Sequence, residues 1–203
     1  MSCRAARRRG CLAALASLLL IGAGAAACAP GATPSPTYTE VPIGPTVWPE
    51  GTTGQYGLHI QPSLLGRLPA TVDAYRIAED TVSETGALDD PDLGKTFDNY
   101  AAGAIGAVGA ANWLAVVVAH FSPANQTPDA YEQWVADWDA TACSQADGVG
   151  TTGQEQIGDW LTDTATCIGG PVVYTTILDD YTVVSSLGQG PRDLGRQLIE
   201  ALH

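Results

Sequence analysis

Thr127, Pro128 and Asp129 open the stretch that most constrains this chain: a capping hydroxyl, a proline suited to the first helical position, then an acid in the first turn. Tyr131, Trp134, Val135, Trp138 and Ala142 follow at i, i+3, i+4, i+7 and i+11. That spacing is one face of a helix, so the pattern predicts a helix over residues 127–143. Two tryptophans on one stripe need apolar surface to lie on.

Strands supply that surface. "WLAVVVAHF" (113–121) reads as a buried strand. "PVVYTTIL" and "YTVVSSL" are rich in Val, Ile, Thr and Tyr, and Asp179-Asp180 between them reads as a hairpin turn. "GQEQIGDWLTDTATC" (153–167) reads as a third strand, bent at Gly158-Asp159. After "GQG" and Pro191, the residues Leu194, Leu198, Ile199 and Leu202 predict a short amphipathic C-terminal helix. Upstream, residues 71–82 read as an early strand and "ETGALDDPDLGK" (84–95) as a loop marked by Gly86, Pro91 and Gly94.

Residues 101–119 carry no charge and reach the length of a membrane-span candidate. Asn112 interrupts them and no basic residue flanks them, so a small-residue segment followed by a turn near Asn112 is the better reading. Whether residues 97–111 are helix or strand stays open. The order strand, helix, three strands, helix predicts an α+β fold: an antiparallel sheet with the Trp-rich helix and a C-terminal helix packed on it.

The N-terminus gives an address. Arg4, Arg7, Arg8 and Arg9 precede an apolar run over residues 12–27 that ends in small residues, the pattern of a secretory signal peptide. Ala25-Ala26-Ala27 before Cys28 resembles the lipobox of bacterial lipoproteins, with Ala25 where leucine is usual. The resemblance implies a diacylglyceryl group on Cys28 and anchoring at the outer face of the cell membrane. Ordinary cleavage after Ala27, and secretion, is the alternative.

Cys3 and Cys11 leave with the signal, and lipidation of Cys28 leaves Cys143 and Cys167 as a pair. In an oxidising compartment they are expected to form a disulfide, worth about 3 kcal/mol for a loop of this length. Two buried thiols are the alternative. Seven of the thirteen prolines lie between Pro30 and Pro62, mixed with Thr and Gly, a composition that cannot bury enough to order itself. The expected organisation is therefore a signal peptide (1–27), a lipidated cysteine with a disordered tether (28–62), and one domain (63–203).

Once the signal is gone, five basic residues face all 22 acids. Such a surface repels phosphates, which argues against nucleic acid and against direct binding to anionic headgroups; the membrane is met through the lipid. By element order, residues 113–203 resemble small actinobacterial lipoproteins of the LpqN type, proteins of uncharacterised function.

Catalytic motifs are scarce. His59, His120 and His203 have no metal-ligand spacing, and no cofactor or metal is expected. His120 near Ser122 lacks a nucleophile elbow, and His120 reads as a rim residue. "GQGPRDLG" (188–195) has Asp193 where a dinucleotide fingerprint needs glycine, and reads as a turn and helix cap. Asp89, Asp90 and Asp92 read as a solvated loop, Asp137 and Asp139 as the wet face of the Trp-rich helix, and "NQT" (125–127) as an idle sequon. Trp134 and Trp138 match a core stripe; with His120 they are the candidate ligand-facing residues.

The expectation is a non-catalytic, lipid-anchored extracytoplasmic domain binding a small molecule, an envelope polymer or a protein. The alternatives are an envelope hydrolase with paired carboxylates, including Asp163 or Asp179, and a structural spacer.

Overall fold

The computed structural model describes residues 51–108 and 112–203. The signal segment, Cys28 and most of the expected tether lie outside the described residues. Nine strands form one sheet: β1 (Thr52–Thr53), β2 (His59–Ile60), β3 (Ala78–Glu79), β4 (Phe97–Val108), β5 (Asn112–Phe121), β6 (Val149–Ile157), β7 (Trp160–Cys167), β8 (Val172–Ile177) and β9 (Thr182–Gln189). Their spatial order is β1-β2-β4-β5-β9-β8-β7-β6, with β3 on β4. All pairs are antiparallel except β2 on β4. Among the described residues, four α-helices accompany them: α1 (Thr81–Leu88), α2 (Pro91–Thr96), α3 (Pro128–Ala142) and α4 (Leu194–Glu200). The α+β layout is as the sequence predicts.

Helical segments cover both faces of the sheet, which explains why β5 is apolar without alternation from Trp113 to Ala119. Leu114, Val116 and Val118 face a core shared with Leu194, Leu198 and Ile199 of α4. Val117, Ala119 and Phe121 alternate with them and face a core closed by α1 and α3, with Phe97, Ala87 and Trp134. Residues 97–108, left open by sequence, are strand, paired with β5 from Phe97↔Phe121 to Val108↔Asn112.

Three expectations need correction. The 153–167 segment is two strands rather than one bent strand: β6 and β7 turn at Gly158, whose φ is +57°, and pair up to Ile157↔Trp160. Residues 71–82 are mostly irregular, with a tight turn at Asp73–Ala74 closed by a Val72–Tyr75 bridge, β3 only two residues long and α1 beginning at Thr81. The 84–95 loop holds the rest of α1 and nearly all of α2. Both helices are started by side chains: Asp80 accepts from the Ser83 N–H, and Asp90 from the Asp92 and Leu93 N–H groups, with Pro91 next.

The sheet also takes in chain upstream of Ser63. Within the span read as tether, β2 runs parallel to β4, and Leu58 and Ile60 are fully buried. At the other end of the chain, "GQGPRDLG" is punctuation: Gly190 takes φ +114° with its Cα packed on Asn112, and Asp193 caps α4 by accepting from the Arg196 N–H.

Candidate functional site

Helix α3 organises the candidate site. Thr127 caps it by accepting from the Ala130 N–H, and its apolar stripe lies on the sheet. A disulfide joins Cys143, just past its C-terminus, to Cys167 at the end of β7. Grooves run along both flanks of the helix.

The flank toward α2 bounds a groove of about 460 Å³ lined by Asp90, Asp92, Leu93, Gln133, Trp138 and Asp137, among others. Trp134 and Trp138 both reach it, yet neither is a bare platform. Trp134 is 8 % exposed and sets its edges on Phe97 and Phe121 at 88°, with centroids 5.2 and 6.1 Å away. Trp138 stacks on Trp134 at 5.6 Å, and its Nε1 is buried without a hydrogen-bond partner. The acids on this side are spoken for: Asp90 caps α2, Asp92 pairs with Lys95 at 3.1 Å, and Asp137 accepts from Gln133.

The flank toward the β6–β7 hairpin bounds a second groove, of about 420 Å³, lined by Glu132, Val135, Asp139, Thr152, Gln154 and Asp163, among others. Residues 132, 135, 136 and 139 share this flank by helical spacing. Gln154 and Asp163 are direct cross-strand partners, and Gln154 Nε2 donates to Asp163 Oδ1 at 2.7 Å. The Tyr131 hydroxyl donates to Asp163 Oδ2, also at 2.7 Å. Burial and that donation to a carboxylate push the Tyr131 hydroxyl well above the usual tyrosine range.

Asp139 differs from every other acid at the grooves. It is 6 % exposed, and its carboxyl accepts no hydrogen bond from any described residue. Burial pushes that carboxyl up to about 6, and the charge of Asp163 adds to the effect. The wet-face expectation for Asp139 is thus overturned: it lies on the flank that the hairpin covers. The pair Asp139 and Asp163 brings together one acid that holds its proton into the mildly acidic range and one that accepts two hydrogen bonds.

The other sequence candidates lie elsewhere. His120 Nδ1 is 2.8 Å from Asp98 Oδ1 on β4, at none of the grooves described above. Ser122 does not join it; its Oγ accepts from Asn125 Nδ2. Asn125 also donates to the Lys95 carbonyl at 2.8 Å, so the sequon side chain is part of the fold. Asp179 is exposed in the β8–β9 turn. Among the described residues, no three His, Cys, Asp or Glu side chains stand close enough to hold a metal ion.

A second buried acid went unnoticed in the sequence. Glu84 on α1 is fully buried, and its Oε1 accepts from the Ala102 N–H at 3.1 Å. Burial pushes it up to about 7, partly offset by that hydrogen bond, while neighbouring Glu79 raises it further. Glu84 Oε2 and Glu79 Oε1 are both buried without a hydrogen-bond partner among the described residues.

Set beside known protein families, curated proteins and solved structures, the chain matches none.

Proposed function

We propose that this protein is an extracytoplasmic binding domain, anchored to the cell membrane by a lipid on Cys28, that takes a small ligand between α3 and the β6–β7 hairpin. Asp139 carries the reading: a residue 6 % exposed, whose carboxyl takes no hydrogen bond from any described residue and lines a groove of ligand size. Such a group is costly to bury unless something else satisfies it. The Cys143–Cys167 disulfide supports an oxidising compartment, and no described helix is long and apolar enough to cross a membrane.

The test is a native mass spectrum of the protein extracted from its own membranes, beside that of Asp139→Ala. The reading expects a chain that starts at a diacylated Cys28 and an adduct that the variant loses. A chain without lipid removes the anchor, and an adduct equally retained by both proteins moves the site elsewhere.

A second reading, a carboxylate hydrolase, is favoured by the pairing of Asp139 with Asp163 in one groove. A buried carboxyl raised by desolvation beside a second carboxylate suits a general acid with a neighbouring acid in one groove. Release of product from envelope polysaccharide that vanishes in Asp139→Asn and in Asp163→Asn would support it. Equal release by all three proteins would remove it.

A further inference from the structure

Resting on that reading of the groove, we infer that its ligand carries a protonated primary amine, which docks on Asp139 beside Asp163 and Glu132. Three observations select this chemistry. The groove is lined by three carboxylates and by no basic residue, so an anion is repelled from it. Asp139 is nearly buried and receives no donor from the protein, whereas an ammonium brings both a compensating charge and three N–H donors. A divalent metal ion fits less well, because no three acids stand close enough to ligate one among the described residues.

The rest of the lining suits an alkyl stem behind the ammonium. Val135 and Ala136 offer short apolar surface on α3, and Thr152 and Thr164 on the hairpin offer hydroxyls for a polar substituent. Gln154 and Tyr131 are already committed to Asp163, which fixes that carboxylate as a second, oriented acceptor.

Binding should then be linked to a proton. The charged groups that line the groove with Asp139 are Glu132, two turns away on its own helix, and Asp163 on β7, which the Tyr131 hydroxyl holds; the β6 residues Thr152 and Gln154 are uncharged. Glu132 and Asp163 are acidic, and burial already favours the protonated form of Asp139. An arriving ammonium reverses that preference and displaces the proton, so affinity rises with pH through the carboxyl's titration near 6.

A primary alkylammonium can come as a free diamine or as a lysine-type side chain on an envelope peptide. The experiment separates these by titrating the ¹⁵N-labelled chain, purified from its own cells, with 1,5-diaminopentane, with Nα-acetyl-lysine methylamide and with the neutral trisaccharide tri-N-acetylchitotriose. The inference expects saturable amide shifts at Ala136, Asp139, Gln154 and Asp163 from an amine, with affinity about tenfold higher at pH 7.5 than at pH 5. Asp139→Asn keeps shape and removes charge, and should abolish both the binding and its pH dependence. The stronger of the two amines identifies the source. Shifts from the trisaccharide alone overturn the ammonium inference and leave the groove as a ligand site. Amine shifts that are unchanged in Asp139→Asn overturn the inference as well. Silence from all three probes at millimolar concentration overturns both the inference and the reading of the groove.

Discussion

The Tyr131 hydroxyl, on the first turn of α3, donates to Asp163 Oδ2 on β7 at 2.7 Å. One hydrogen bond thus ties the helix to the strand and orients the carboxylate that neighbours Asp139. Tyr131→Phe keeps the ring on its apolar stripe and removes the donor, while Gln154 still holds Oδ1. The variant should lose about 1 kcal/mol of stability. Thermal denaturation monitored by near-ultraviolet circular dichroism checks this, and an unchanged midpoint would show that the bond contributes nothing.

At the other end of α3, the Cys143–Cys167 disulfide closes a loop of sequence separation 24. Replacing both cysteines by alanine should lower stability by about 3 kcal/mol, by releasing the unfolded chain. Both sulfurs sit in buried positions, so the double variant leaves a small apolar gap rather than an exposed thiol. Urea unfolding of the oxidised, reduced and double-alanine proteins should place the last two together.

Stability should fall as pH rises from 5 to 8. Folding raises the Glu84 carboxyl from 4.5 to about 7, which means the folded state favours the protonated acid. Its contribution is therefore complete below pH 4.5 and is lost as pH climbs through 7, an effect on the order of 3 kcal/mol. Asp139 acts with the same sign in a lower window, from 3.8 to about 6. Glu84→Gln keeps an acceptor for the Ala102 N–H and carries no proton to lose. Its melting temperature should vary less across this range than that of the parent, and parallel curves would exclude the buried acid as the cause.

Two of the three ligand-facing candidates of the sequence, Trp134 and His120, should separate sharply on truncation. Trp134→Ala empties the space against Phe97, Phe121 and Trp138 and should cost on the order of 3–5 kcal/mol. His120→Ala removes a partly exposed partner of Asp98 and should cost under about 1 kcal/mol. Chemical denaturation of the two variants checks the contrast.

Periodicity and capping make much of the fold legible in the sequence. Thr127-Pro128-Asp129 announces α3, while Asp90-Pro91-Asp92 carries the same cap, proline and acid yet reads as loop. The difference is length: α2 spans only Pro91–Thr96, too short for an apolar stripe to confirm its start. The hairpins were legible because β-branched runs flanked short polar turns. Proline content in 28–62 masked β1 and β2, which hold their place through pairing and two buried side chains, not through composition.

The groove itself was not legible. Asp139 reads as solvated because the helix alone leaves that flank open; β6 and β7, arriving from residues 149–167, cover it. The sequence offers Asp163, like Asp179, as a carboxylate of a paired-acid site without naming its neighbour. Which carboxyl would join it depends on where α3 crosses the sheet, a tertiary fact that spacing along the chain does not encode.

Helix α3 is fastened to β7 twice, by Tyr131 near its start and by the disulfide beyond its end, and Asp139 lies between the fastenings. The groove is accordingly a slot of set width before any guest arrives. On the proposed binding role, a ligand need not first gather the walls around itself, so little conformational freedom would be surrendered on capture. Cleaving the disulfide would unfasten one end of the slot, so on the proposed binding role the redox state of the surroundings would bear on affinity as well as on stability.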